Sequence, residues 1–299
     1  MIKNNKAITI LALCIGIVAL FACLAGLLLK GGPGLYEFKS INGEFVNIYG
    51  IGLYRNDSVS VASQGRASDL VTLIFGVPLL WISLYFTNKG SFRGRLMLTG
   101  TLGYFLYTYM SYTFLWMFNP FFILYVMLMA MSLYAFVLCF MSFNIKKIPL
   151  AFSDNLSVKL LGGFQIFIGV AIGLLWLGKI ATSVYWGQPP IGLEHYTTLV
   201  IQGMDLGIVV PTAFVSGILL IKHKPFGYLL SSVIITKGIT MLTCISAMIV
   251  NQALNGVEMS RIETLIFPAF NILAFICLFL LMKNVRTDAN AILEIESTL

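Results

Sequence analysis

Apolar and polar residues fall along this chain in long blocks. Windows with few polar interruptions cover residues 7–29, 68–87, 96–118, 121–143, 160–182, 203–221, 228–250 and 264–282. Each approaches the roughly 20 residues that carry a helix across about 30 Å of hydrocarbon. The pattern predicts an all-α membrane protein built as a bundle of eight transmembrane helices, with both termini on one side. Residues 31–67 follow another period. LYEFKSI and EFVNIYG alternate apolar and polar positions around Asn42-Gly43, a strong hairpin signal. IGLY and SVSVA form a second candidate strand pair around Arg55-Asn56-Asp57. A small β-hairpin region is expected there, packed on the helix tops because a lone hairpin is marginal.

Composition strengthens this reading. Of 299 residues, 59% are hydrophobic and 10% charged, whereas soluble domains carry about 25% charged residues. The basic clusters Lys3/Lys6, Lys89/Arg93/Arg95, Lys146/Lys147/Lys159, Lys222/Lys224 and Lys283/Arg286 fall on one face of the eight-span arrangement, together with Asp154, Asp288, Glu294 and Glu296. By the positive-inside rule that face is cytoplasmic, as are both termini, and residues 31–67 lie outside. The net charge of +7 then reports orientation, and no nucleic-acid partner is expected. The start of the chain resembles a secretory signal, but its apolar run is longer than a signal core and no A-x-A site follows. An uncleaved first span is expected, although Leu20-Phe21-Ala22-Cys23 loosely resembles a lipoprotein box. All five cysteines lie within predicted spans, which leaves no pair for a disulfide framework outside the membrane.

A weak internal repeat accompanies the even span count. Ile51-Gly52-Leu53 recurs as Ile191-Gly192-Leu193, Asp69-Leu70 as Asp205-Leu206, and Phe92-Arg93-Gly94 as Pro225-Phe226-Gly227. Their common order predicts two four-span halves, residues 1–145 and 159–299, joined by a cytoplasmic linker at 146–158. Such halves would be related by an axis along the membrane normal. Aligning Gly94 with Gly227 sets Tyr104 against Lys237.

Lys237 is the sharpest chemical signal. A lysine mid-span costs about 2.5–3.5 kcal/mol on insertion scales, so it is paired, faces water or serves function. Asp69 and Asp205 open the second and sixth windows, where helix capping is the alternative reading. Tyr104 shares a helical face with Tyr107 and Ser111 and lies too deep for an interfacial belt. Asn271 is a further candidate lining residue. Together Lys237, Tyr104, Asp69, Asp205 and Asn271 predict a polar cavity for a small-molecule ligand, open to the outside. Pro78 and Pro211 predict kinks in their spans. Glu194-His195 reads as a solvated loop pair.

No catalytic, metal or cofactor set is legible. Only two histidines occur, no zinc-binding spacing appears, and neither G-x-S-x-G nor a phosphate-binding loop is found.

GIGLYRNDSV, ASDLVTLIFGVPLL and GSFRGRLMLTGTLGYFLYTYMSY together resemble a group of bacterial polytopic membrane proteins, and QGMDLGIVVP and GYLLSSVIITKG extend the resemblance more weakly. It implies a bacterial inner membrane and no particular activity. Three functions stay open: transport or binding of a small molecule, an enzyme acting on a lipid or isoprenoid, and an accessory subunit holding an unspecified partner protein through its outer loop.

Overall fold

The computed structural model describes residues 5–259 and 261–286. Lys3, Asp288, Glu294 and Glu296, which enter the charge count above, lie outside them. The chain runs as α1 (Asn5–Leu28), β1 (Tyr36–Lys39), β2 (Phe45–Ile48), α2 (Val59–Asn88), α3 (Phe92–Phe114), α4 (Phe122–Met141), a 3-10 segment (Ile145–Ala151), α5 (Val158–Trp186), α6 (Val200–Ile221), α7 (Pro225–Leu254) and α8 (Arg261–Lys283). Seven of these helices are long and apolar enough to cross a membrane, so this is a multi-pass membrane protein in a lipid-bilayer environment.

The remaining helix, α3, has 23 residues and reaches about 34 Å at 1.5 Å per residue. Its tyrosines and threonines make it less apolar than the others. It tolerates them because it is the most enclosed helix, packed by α2, α4 and α7, with Thr99, Thr101, Tyr104 and Phe105 all fully buried. Gly100 sets its distance from α7. A Cβ there would stand 2.4 Å from the Thr236 Cβ and 2.9 Å from the Val233 carbonyl oxygen.

The hairpin forms in the expected place, antiparallel, with Phe38 opposite Val46 and Tyr36 opposite Ile48. Asn42-Gly43 lies in its turn, where Gly43 takes φ 84°. The second expected strand pair does not form. Gly52–Tyr54 is a short 3-10 turn, Ser58 keeps a single bridge to Ile48, and SVSVA is the first turn of α2. The physical cause is the Ser58 hydroxyl, which accepts from the Val61 N–H at 3.1 Å and caps the helix. Its alternating serines and valines mimic a strand, but on the helix Ser58, Val61 and Ala62 are buried while Val59 and Ser60 are half-buried.

The 146–158 segment is a packed connection. Ile148, Ala151, Phe152 and Leu156 are buried, Phe152 bridges Val285, and Arg286 donates to the Phe152 carbonyl at 3.0 Å.

Two helices share one irregularity. In α2 a wide π-turn at Thr72–Gly76 precedes Val77-Pro78, and in α6 another at Asp205–Val209 precedes Val210-Pro211. Val77 N–H bonds the Thr72 carbonyl and Val210 N–H the Asp205 carbonyl, five residues back in each case. The extra residue makes room for a proline ring that would clash with an ordinary turn. The following corners also match. Gly90 and His223 both take positive φ, and Ser91 and Lys224 bond back to Phe86 and Leu219.

A candidate ligand cavity

A cavity of about 950 Å³ lies between α3, α5, α6 and α7. It reaches the surface at the hairpin end beneath residues 187–199, where Trp186 and Ile191 are exposed. Most of its wall is apolar, from Ile168, Ile172 and Leu175 on α5 and Met241, Ile245 and Met248 on α7. Helix packing explains the gap. α2 lies along α7, tied by the Asn251 side chain to the Ser63 carbonyl at 2.7 Å and by Gln252 to the Ser60 hydroxyl at 3.0 Å, whereas α6 barely meets α3. On the cavity's flank α5 and α8 also meet sparsely, with Phe167 and Phe270 in edge contact.

Polar groups converge in its deep part. The π-turn of α6 carries Asp205 at its start. Asp205 Oδ1 accepts from the Tyr107 hydroxyl at 2.6 Å and Oδ2 from the Trp176 indole N–H at 2.8 Å. Lys237 Nζ sits over the Tyr107 ring, 4.0 Å from its centroid. One aromatic ring therefore holds a cation on its face and a carboxylate at its hydroxyl, joining α7, α3, α6 and α5. Lys237 is half-buried. Among the described residues no carboxylate lies within salt-bridge distance of its ammonium.

Of the five residues singled out from the sequence, Lys237 and Asp205 line this cavity. Asp69 lies outside it, buried, accepting from Tyr54 at 2.5 Å and Tyr112 at 3.0 Å. Tyr104 is also outside, fully buried, and shares a 2.7 Å hydrogen bond with Thr72. Asn271 pairs with Thr243 at 3.3 Å, tying α8 to α7. Thr72 begins the π-turn of α2 and Asp205 that of α6, while Asp69 lies three residues before the first of these turns. Tyr107 was legible as a neighbour of Tyr104 on one helical face. Trp176 carried no signal, since nothing in an apolar stretch marks one indole as a donor.

The rim is less solvated than Glu194-His195 suggests. Ser58 donates a short hydrogen bond to Glu194 Oε2, His195 Nε2 lies 3.1 Å from the Asn56 carbonyl oxygen, and Tyr196 donates to Asp57 Oδ1 at 3.0 Å. The Met117 N–H also bonds that oxygen at 2.9 Å, while Asp57 Oδ2 is buried without a partner. Burial lifts the Asp57 carboxyl to about 7. Burial likewise raises Glu194 and lowers His195.

Among the described residues no group of three or more His, Cys, Asp and Glu side chains could hold a metal ion. No protein-family model, curated protein or solved structure matches this chain.

Proposed function

We propose that this protein binds a small molecule in the cavity beside Lys237 and moves it across the membrane. The observation that carries the reading is one tyrosine ring holding a cation on its face and the carboxylate of a π-turn at its hydroxyl, in a largely apolar cavity that extends to residues 186–199. Charged groups within a bilayer are costly and concentrate along substrate paths, and π-turns recur at functional sites. Binding pockets are mostly apolar with a few placed polar groups, and about 950 Å³ suits a small organic ligand.

In this reading α3 is an eighth crossing and the chain is two four-helix halves, residues 1–145 and 159–299, joined by 146–158. Its support is the shared corner: Thr72, Val77-Pro78, Gly90, Gly94 and Tyr104 stand to Asp205, Val210-Pro211, His223, Gly227 and Lys237 at one constant separation. The basic turns then face the cytoplasm of a bacterium with both termini, and the hairpin lies outside.

Gly238 provides the test. It lines the cavity, and a Cβ added there meets nothing within 4 Å, so Gly238→Leu fills the space without strain. Purified protein in nanodiscs is heated with small molecules sorted by charge and apolar length. At least one class should raise Tm in the wild type and fail to do so in Gly238→Leu. No stabilising class, or equal stabilisation of both proteins, overturns the reading.

A further inference from the structure

We infer that the ligand is an amphipathic oxyanion: a carboxylate or phosphate group seated on Lys237, with an apolar body along α5 and α7. The inference rests on the cavity being a ligand site and adds the chemistry of what fills it.

The argument starts from what each polar group in the deep cavity already has. Asp205 is provided for, with one donor on each carboxylate oxygen from Tyr107 and Trp176. Both donors come from rigid aromatic side chains, which fixes its geometry. Lys237 is the opposite case. Its ammonium has three N–H donors and no acceptor, and it meets the face of the Tyr107 ring at 4.0 Å. A ring face offers a cation about 0.5–2 kcal/mol of attraction, yet satisfies no N–H directionally. A hydrogen-bond acceptor on a ligand would meet these donors, and a charged one is bound about twice as strongly as a neutral one.

A cationic ligand is disfavoured by Lys237 itself, whose ammonium stands on the face of the same Tyr107 ring that donates to Asp205. A fully hydrophilic anion also fits poorly, because Ile168, Ile172, Leu175, Met241, Ile245 and Met248 form the rest of the wall. An apolar body covers them and gains roughly 25 cal/mol per Å² of surface removed from water. Lys179 stands nearer the rim, with its ammonium 5.8 Å from the Trp176 ring centroid.

The probe set is octanoate, octyl phosphate, octylammonium and octan-1-ol, titrated calorimetrically into the full chain in nanodiscs, with empty discs subtracted. Octanoate or octyl phosphate should bind, and whichever is tighter identifies a carboxylate or a phosphate headgroup. Octan-1-ol and octylammonium should bind at least about tenfold more weakly, the factor expected for one charge-assisted hydrogen bond. Lys237→Gln should lose that factor for the anions alone, and Lys237→Arg should retain most of it. Should Lys237→Gln fail to fold, the ranking of the four probes on the wild type and Lys237→Arg decides. Equal binding of all four probes, preference for octylammonium, or full anion binding by Lys237→Gln overturns the inference. If none of the four binds while another class stabilises the wild type and not Gly238→Leu, the cavity is a ligand site and the oxyanion assignment alone is wrong.

Discussion

At the residue scale, two aspartates of similar sequence setting do different work. Asp69 is enclosed by Tyr54 and Tyr112, and Gly26 gives it room, since a Cβ there would stand 1.9 Å from Oδ2. Asp69→Ala strands the buried Tyr54 hydroxyl, at a cost of about 1–3 kcal/mol, while the Tyr112 hydroxyl keeps the Gly65 carbonyl at 3.0 Å. It should lower Tm markedly while leaving ligand affinity in the surviving folded fraction unchanged. Asp205→Ala, facing the cavity, should alter affinity more than Tm; thermal scans with and without ligand separate the two.

Asp57 gives the rim a pH dependence whose sign follows from its environment. Its carboxyl is protonated up to about pH 7 when the rim is closed and only to about 4 when opened to water. Between those values the closed state holds the proton and the open state does not, so closure weakens as pH rises through that window. Glu194, also raised by burial, acts in the same direction, and His195, lowered by burial, acts in the opposite one. Hydrogen exchange of residues 187–199 should therefore quicken from pH 4 to 7 beyond its intrinsic rate. Asp57→Asn, which mimics the protonated form, should remove most of that excess.

At the scale of elements, the helices and the hairpin were legible because burial periodicity and turn chemistry are local. Among the described residues each of the eight apolar windows lies on a helix, seven of them long and apolar enough to cross a membrane, and Asn42-Gly43 marked the turn. The second strand pair misread for a physical reason: SVSVA alternates like a strand, and a single serine cap decides otherwise. Sequence also placed Lys237 and Asp205 among the candidates, but not the cavity's edges. Whether a buried polar group faces a void or a partner depends on which helices touch, and no one-dimensional pattern carries that. The α3–α7 contact shows how narrow the margin is. Gly100→Ala places a methyl group against Thr236 and the Val233 carbonyl, an overpacking worth about 1–3 kcal/mol. It should lower Tm by several degrees, while Gly163→Ala, with open space at that position, should leave it unchanged.

At the scale of the whole molecule, the issue is whether α3 crosses the bilayer. If it does, the corner at Lys89–Ser91 and the turn at Asn119-Pro120 lie on opposite sides. Alkaline phosphatase fusions in a bacterial host should then be active at residues 42, 119, 190 and 256 and inactive at 90, 150 and 223. The same outcome at 90 and 119, both active or both inactive, would place α3 within one leaflet or outside the bilayer.

The rim bonds reach further than pH. Glu194, His195 and Tyr196 come from the C-terminal portion of the chain and grip Asn56, Asp57 and Ser58 of the N-terminal portion, while α7 is wedged against both α2 and α3. The two portions therefore hold each other without needing the peptide bonds between them. Expressed as separate polypeptides divided near Asn155, they should assemble in the membrane and copurify, and neither should be recovered intact alone.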